Sequence, residues 1–170
     1  MKNNINTEIE NYCDEVEDLL SKYNVTDSKR TFNEMLKADL LNFVLYLSAS
    51  DKIIKKEEAE FLSEYLSANF SEKEMYEIIM RKNIYSADFE EKVPYSLKIV
   101  AKIQAELNKN KQPSYITSLS ERYILIFKNI GQEIIVCDHN IHENEIEDFE
   151  IYTNMMIEYI EENISVTLKK

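Results

Sequence analysis

The sequence predicts an all-α protein, about seven helices in a single compact bundle with an internal pseudo-two-fold repeat of a helix-turn-helix unit. Three observations predict it. The 170 residues include one Gly and two Pro, too little turn chemistry for a sheet. Apolar residues recur at steps of three and four along most of the chain, the spacing of one helical face. Finally, a short pattern occurs twice between helical stretches: Asp51, Ile54 and Glu58, then Asp138, Ile141 and Glu145.

Taken in order, the first helix is expected from about Thr7 to Tyr23, opened by a Thr7–Glu10 capping box. Ile9, Tyr12, Cys13, Val16, Leu19, Leu20 and Tyr23 form its apolar stripe. Asn24 to Lys29 is a polar connector. Thr31 with Glu34 opens a helix ending near Ser50, and after the first corner a helix runs from about Lys56 to Asn69. Ser71 with Glu74 caps a short helix carrying Met75, Ile78 and Ile79, and Asn83 to Lys92 fits either a loop or a frayed turn. Pro94 suits the first turn of the next helix, because it lacks a donor that would be unpaired there. That helix carries Leu97, Val100, Ala101 and Leu107, and a linker containing Pro113 follows over Asn108 to Thr117. Ser118 with Glu121 caps a helix carrying Ile124, Phe127, Ile130 and Ile134; Gly131 in its interior costs about 1 kcal/mol relative to Ala, which points to a close helix crossing. The last helix is expected from about Glu143 to Glu162.

The repeat extends beyond the corners. Leu40, Phe43 and Leu47 stand at the same offsets from Asp51 as Phe127, Ile130 and Ile134 do from Asp138. Leu62, Tyr65 and Phe70 correspond in the same way to Phe149, Tyr152 and Ile157. The chain divides accordingly into an N-terminal helix and connector (1–30), a helical domain (31–162, with halves at about 31–107 and 118–162) and a short tail (163–170).

Each corner admits two readings. In the structural one, the Ile plugs the gap between two helices and the Glu meets unpaired N–H groups in the first turn of the second helix. The Asp accepts turn N–H groups. In the functional one, a pseudo-two-fold axis brings Asp51, Glu58, Asp138 and Glu145 together. Four clustered carboxylates need compensation, and a hard divalent cation supplies it through oxygen ligands. His139 and His142, the two His of the chain, add a further pair of candidate metal ligands beside Cys137; the matching residues of the first corner are Lys52 and Lys55. Neither corner is an EF-hand loop: both lack the central Gly, and the twelfth positions are Leu62 and Phe149.

The net charge of −12 argues against nucleic acid and against anionic membrane, and favours a basic protein partner, cations, or simple solubility. The absence of a long apolar run and the polar residues after Met1 predict a cytoplasmic protein. Cys13 and Cys137 are expected as reduced, buried thiols. No glycine-rich phosphate loop, nucleophile elbow or zinc-protease motif is present, so no enzymatic activity is expected. The abundance of Asn, Lys, Ile and Tyr fits an AT-rich bacterial genome.

The two corners resemble those of the TerB-like (tellurite-resistance protein B) family, whose signature is Asp-Gly, an aliphatic residue and a Glu at this spacing, in both halves of an all-helical domain. The resemblance covers roughly Thr31 to Ile160. It implies a stress-response or binding module associated with bacterial chemical-defence systems, with a divalent cation (Ca, Mg, Mn or Zn) held by Asp51 and Glu58, then Asp138 and Glu145. The family's Gly is replaced here by Lys52 and His139, which makes a left-handed turn costlier. The competing expectation is an acidic partner-binding protein, such as an immunity protein that neutralises a basic toxin domain; Glu143, Glu145, Glu147, Asp148 and Glu150 early in the last helix favour it.

Overall fold

Four capping and packing signals in the sequence find their places in the computed structural model, which describes residues 2–25, 29–85, 87–110 and 118–165. Among the described residues there is no strand. Seven helices of eleven residues or more are present: α1 (Lys2–Tyr23), α2 (Phe32–Ser48), α3 (Lys56–Leu66), α4 (Glu72–Lys82), α6 (Tyr95–Lys109), α7 (Leu119–Ile135) and α8 (Glu143–Ser165), together with a single turn, α5 (Ala87–Glu90). Thr31, Ser71 and Ser118 each accept the N–H three residues on, while Glu34, Glu74 and Glu121 return the contact to the cap's own N–H, so at three helix starts otherwise unpaired donors are satisfied by side chains from the same turn.

The helix boundaries differ from expectation in five places. α1 begins at Lys2, so Thr7 lies inside it and is not its cap. α3 stops at Leu66, where Ser67 takes a left-handed conformation (φ 53°) and donates its N–H to the Leu62 carbonyl, a helix-ending geometry. Pro94 directly precedes α6 rather than lying in its first turn. The stretch read as loop or frayed turn contains α5, anchored by Ile84 and Phe89 in the core. α8 continues three residues past Glu162 to Ser165. Most of the midpoint linker lies outside the described residues.

α2 is the centre of the bundle. It packs on α1, α3, α4, α6, α7 and α8, and Phe43 to Ser48 are buried in succession, so its C-terminal half is covered on every side. Phe43, Phe127 and Tyr152 form an aromatic cluster between α2, α7 and α8. Gly131 explains the closeness of this crossing: a Cβ there would lie 2.5 Å from the Phe149 ring and 3.1 Å from Phe43 Cζ. Buried polar groups tie the remaining helices. Tyr12 donates to the Leu119 carbonyl at 2.9 Å, and Asp39 accepts both the N–H (2.8 Å) and the hydroxyl (2.6 Å) of Ser96. α1 contributes Ile9, Tyr12, Cys13, Val16, Leu19 and Leu20 to the same core as the other helices.

Candidate functional site

The two corners are built from the same set of local bonds. After Asp51, Lys52 has φ 65°; after Asp138, His139 has φ 63°. Asp51 Oδ1 accepts the N–H of Ile53 at 2.8 Å, and Asp138 Oδ1 accepts that of Asn140 at 2.9 Å. These bonds hold non-Gly residues in the left-handed region that a Gly would enter without cost. Glu58 accepts the Lys55 N–H at 2.7 Å and Glu145 accepts the His142 N–H at 3.0 Å, each satisfying a donor at the start of α3 or α8.

The corners also meet. The Lys55 ammonium forms ion pairs with Asp138 Oδ2 and, at 3.2 Å, with Asp51 Oδ2. His142 Nε2 lies 3.3 Å from the same Asp51 oxygen and 2.9 Å from the Asn140 side-chain nitrogen. Each aspartate therefore gives one oxygen to its own turn and the other to a shared centre. The side chains of both aspartates are 7% exposed and that of Lys55 20%. Ser50 donates to Asp148 of α8, and Asn144 reaches the Ser50 carbonyl at 3.4 Å, closing the joint from the α8 side.

The electrostatics follow from this arrangement. Burial by itself would depress the Lys55 pKa, but its bonds to Asp138 and Asp51 and their charges outweigh burial and raise it. Burial opposes ionisation of Asp138 as well, yet Lys55 and the Asn140 N–H hold its pKa below the ordinary value. Glu58 is 3% exposed; burial pushes its pKa up to about 7, against the Lys55 N–H and the Ser48 hydroxyl, with the Asp51 charge adding to the rise. Glu145, 4% exposed, is raised for the same first reason, and Asp51 again adds. Burial, with Glu58, Asp138 and Glu145 nearby, pushes the Cys137 thiol up to about 12; this half-buried free thiol is a poor nucleophile and a poor metal ligand at neutral pH.

The structure thus gathers Asp51, Glu58, Asp138 and Glu145 into one neighbourhood. His142 faces it, whereas His139 is exposed at the turn. Glu58, Glu145 and the two aspartates, through Oδ1, each give an oxygen to a backbone donor, while the two Oδ2 atoms and His142 Nε2 meet at the centre, where the Lys55 ammonium stands. Lys55 thus supplies the positive charge between the two aspartates. Among the described residues no group of three or more His, Cys, Asp and Glu side chains has the geometry to hold a metal ion. Lys55 is the residue whose role sequence reasoning missed. Its signal was its position four residues after Asp51, within reach of a carboxylate across one turn; its reach to Asp138 had no sequence signal.

The Ile positions differ between corners. Ile54 packs half-buried against the core, as a plug should, but Ile141 is 57% exposed and plugs nothing. The acidic run also divides. Glu143, Glu147 and Glu150 are exposed, Asp148 is half-buried, and Glu145 is buried in the joint. Among the described residues no helix is long and apolar enough to cross a membrane.

No family model, curated protein or solved structure matches the chain.

Proposed function

We propose that this protein is a non-enzymatic, TerB-like binding module in which the corners are two copies of one unit, joined by a resident ammonium instead of a metal ion, and that it acts through a basic protein partner. The observation that carries this reading is the Lys55 Nζ between Asp51 and Asp138. Paired carboxylates of this kind attract a cation, and a side chain of the same chain meets that demand. The matched turn bonds of the two corners support descent from one repeated unit. The corner then serves as a joint between helices, and the chain's net charge of −12 remains for partners. The exposed side of α8, with Glu143, Glu147 and Glu150 beside exposed Ile146 and Ile151, presents acidic and apolar groups together, a composition suited to a partner that is basic and partly apolar. A neutraliser of a basic toxin domain is one form such a module takes.

Thermal melts with Ca²⁺, Mg²⁺, Mn²⁺ and Zn²⁺ test the joint, since a ligand that binds only the folded state raises the melting temperature. The native chain should show no ion-dependent shift, whereas Lys55→Gln should melt lower and be rescued by at least one divalent ion. A shift in the native chain that disappears in Asp51→Asn/Asp138→Asn would overturn the reading in favour of a metal site. Co-purification of a stoichiometric basic protein from the native host supports the partner.

A further inference from the structure

At the edge of the aromatic cluster, the end of α2 and the first corner, with α4, the α5 turn and the start of α8, line a cavity of about 690 Å³, in the size range of small-molecule sites. Its base holds Tyr46, which is 2% exposed. The ring is wedged against Phe89 and Tyr152, with centroids at 5.5 and 5.7 Å, so the hydroxyl is fixed in position. That hydroxyl is buried and lies within reach of two carboxylates, Asp148 and Glu90. Its single O–H cannot satisfy both carboxylates, so the wall of the cavity keeps negative charge that a ligand could meet. Two carboxylates, Glu90 and Asp148, line the cavity beside it. Burial, then the charges of Asp148 and Glu90, raise the Tyr46 pKa, so the phenol stays protonated and neutral. At the mouth stand Tyr76 and Tyr85, 55% and 50% exposed, and Met80, 47% exposed. Large apolar side chains grouped at a cavity mouth are informative where a scattered exposed Leu is not.

The chemistry of this lining selects one class of ligand. Aromatic faces attract cations through their ring quadrupoles. The two carboxylates supply charge at the base, and the Tyr46 oxygen accepts a hydrogen bond from an N–H. Lys52 is the one basic residue in the lining among the described residues, and it is exposed, so it opposes a cation weakly through solvent. We propose that this cavity binds a small organic cation, an amine or guanidine carried on an apolar body, with Glu90 and Asp148 holding the charge, Tyr46 accepting an N–H and Tyr76, Tyr85 and Met80 covering the apolar part. The cavity adjoins the Lys55 joint, sharing Ser50 and Asp148 with it, but Lys55, Asp51 and Asp138 are not in its lining, so the proposal does not depend on how the ammonium between the two aspartates is read.

The test is a titration of the full chain with 2-phenylethylamine, its neutral analogue 2-phenylethanol and the anionic 3-phenylpropionate, followed by NMR of the tyrosine rings and by melting temperature. The amine should bind roughly tenfold more tightly than the alcohol, the size of a cation–π plus charge contribution at a partly open site, and the propionate should not bind. Glu90→Gln should remove most of that preference. Tyr46→Phe, which keeps the ring, should weaken the amine and leave the alcohol unchanged. Equal binding of amine and alcohol would overturn the proposal, since the cavity would then be an apolar groove without charge selection. Absence of binding by all three, or an amine affinity indifferent to both substitutions, would overturn it as well. Binding of an Arg- and Lys-rich peptide with no binding of the free amine would also overturn it, and would reassign the cavity to a partner's side chain.

Discussion

Lys55 and Glu58 lie one helical turn apart and illustrate how differently two charges behave in one joint. The lysine keeps its charge because two aspartates from different corners face it. Removing one member of such a set leaves the others uncompensated, which is why the pair is sensitive even where its net contribution is small. Glu58 has no cation of its own, and burial dominates. Its ordinary pKa is 4.5 and its folded value about 7, so the folded chain binds that proton more tightly than the unfolded chain does. The associated stability is complete below pH 4.5 and is lost as pH rises through about 7. Glu58→Gln retains an oxygen for the Lys55 N–H and removes the charge. Urea unfolding should therefore show the variant more stable than the native chain by about 1–2 kcal/mol near pH 8 and indistinguishable from it near pH 5. A variant less stable at both pH values would show that the carboxylate is ionised and well solvated in the fold. The pattern Asp, Ile, Glu made the aspartates and glutamates visible in the sequence, but it assigned all four carboxylates one role. The structure separates them into two that face a shared ammonium and two that cap helices, because the direction of each side chain depends on which backbone N–H it meets.

Helices with capping boxes were placed by their sequence to within one or two residues at their N-termini, because the cap and its N3 Glu are local and need no partner from elsewhere. Thr31, Ser71 and Ser118 are examples. Thr7–Glu10 has the same spelling and lies inside α1; with Ile5 packed against the core, continuing the helix buries more apolar surface than stopping it. In α7 the logic runs from tertiary contact back to sequence. Gly131 forgoes about 1 kcal/mol of helix propensity so that Phe149 and Phe43 can approach. Gly131→Ala regains that propensity but places a methyl group 2.5 Å from the Phe149 ring, and overpacking of this kind costs about 1–3 kcal/mol. The substitution should lower stability in the native background and raise it when combined with Phe149→Ala, as measured by denaturant midpoints. Stabilisation in both backgrounds would mean that the crossing is looser than described.

The bundle as a whole depends on α1 more than the repeat suggests. The division into a leading helix and a two-part domain treats residues 1–30 as an addition, yet six α1 side chains lie in the common core and Tyr12 bonds to the first residue of α7. Burial of a large apolar side chain is worth about 1.5–3 kcal/mol, so losing six approaches or exceeds the 5–15 kcal/mol that holds a typical domain folded. A chain lacking residues 1–30 should show no cooperative thermal transition by circular dichroism; a sharp melt would restore the leading helix to the status of an appendage. Helix content, capping and the pairing of Asp with Glu at each corner could be read directly from the residues, because all rest on interactions between positions a few residues apart. The place of Lys55 between Asp51 and an aspartate 83 residues further along the chain, the exposure of Ile141 against the partial burial of Ile54, and the Tyr46 cavity could not be read that way. Each depends on how one helix is set against another, and periodicity along a single chain carries no term for that relation.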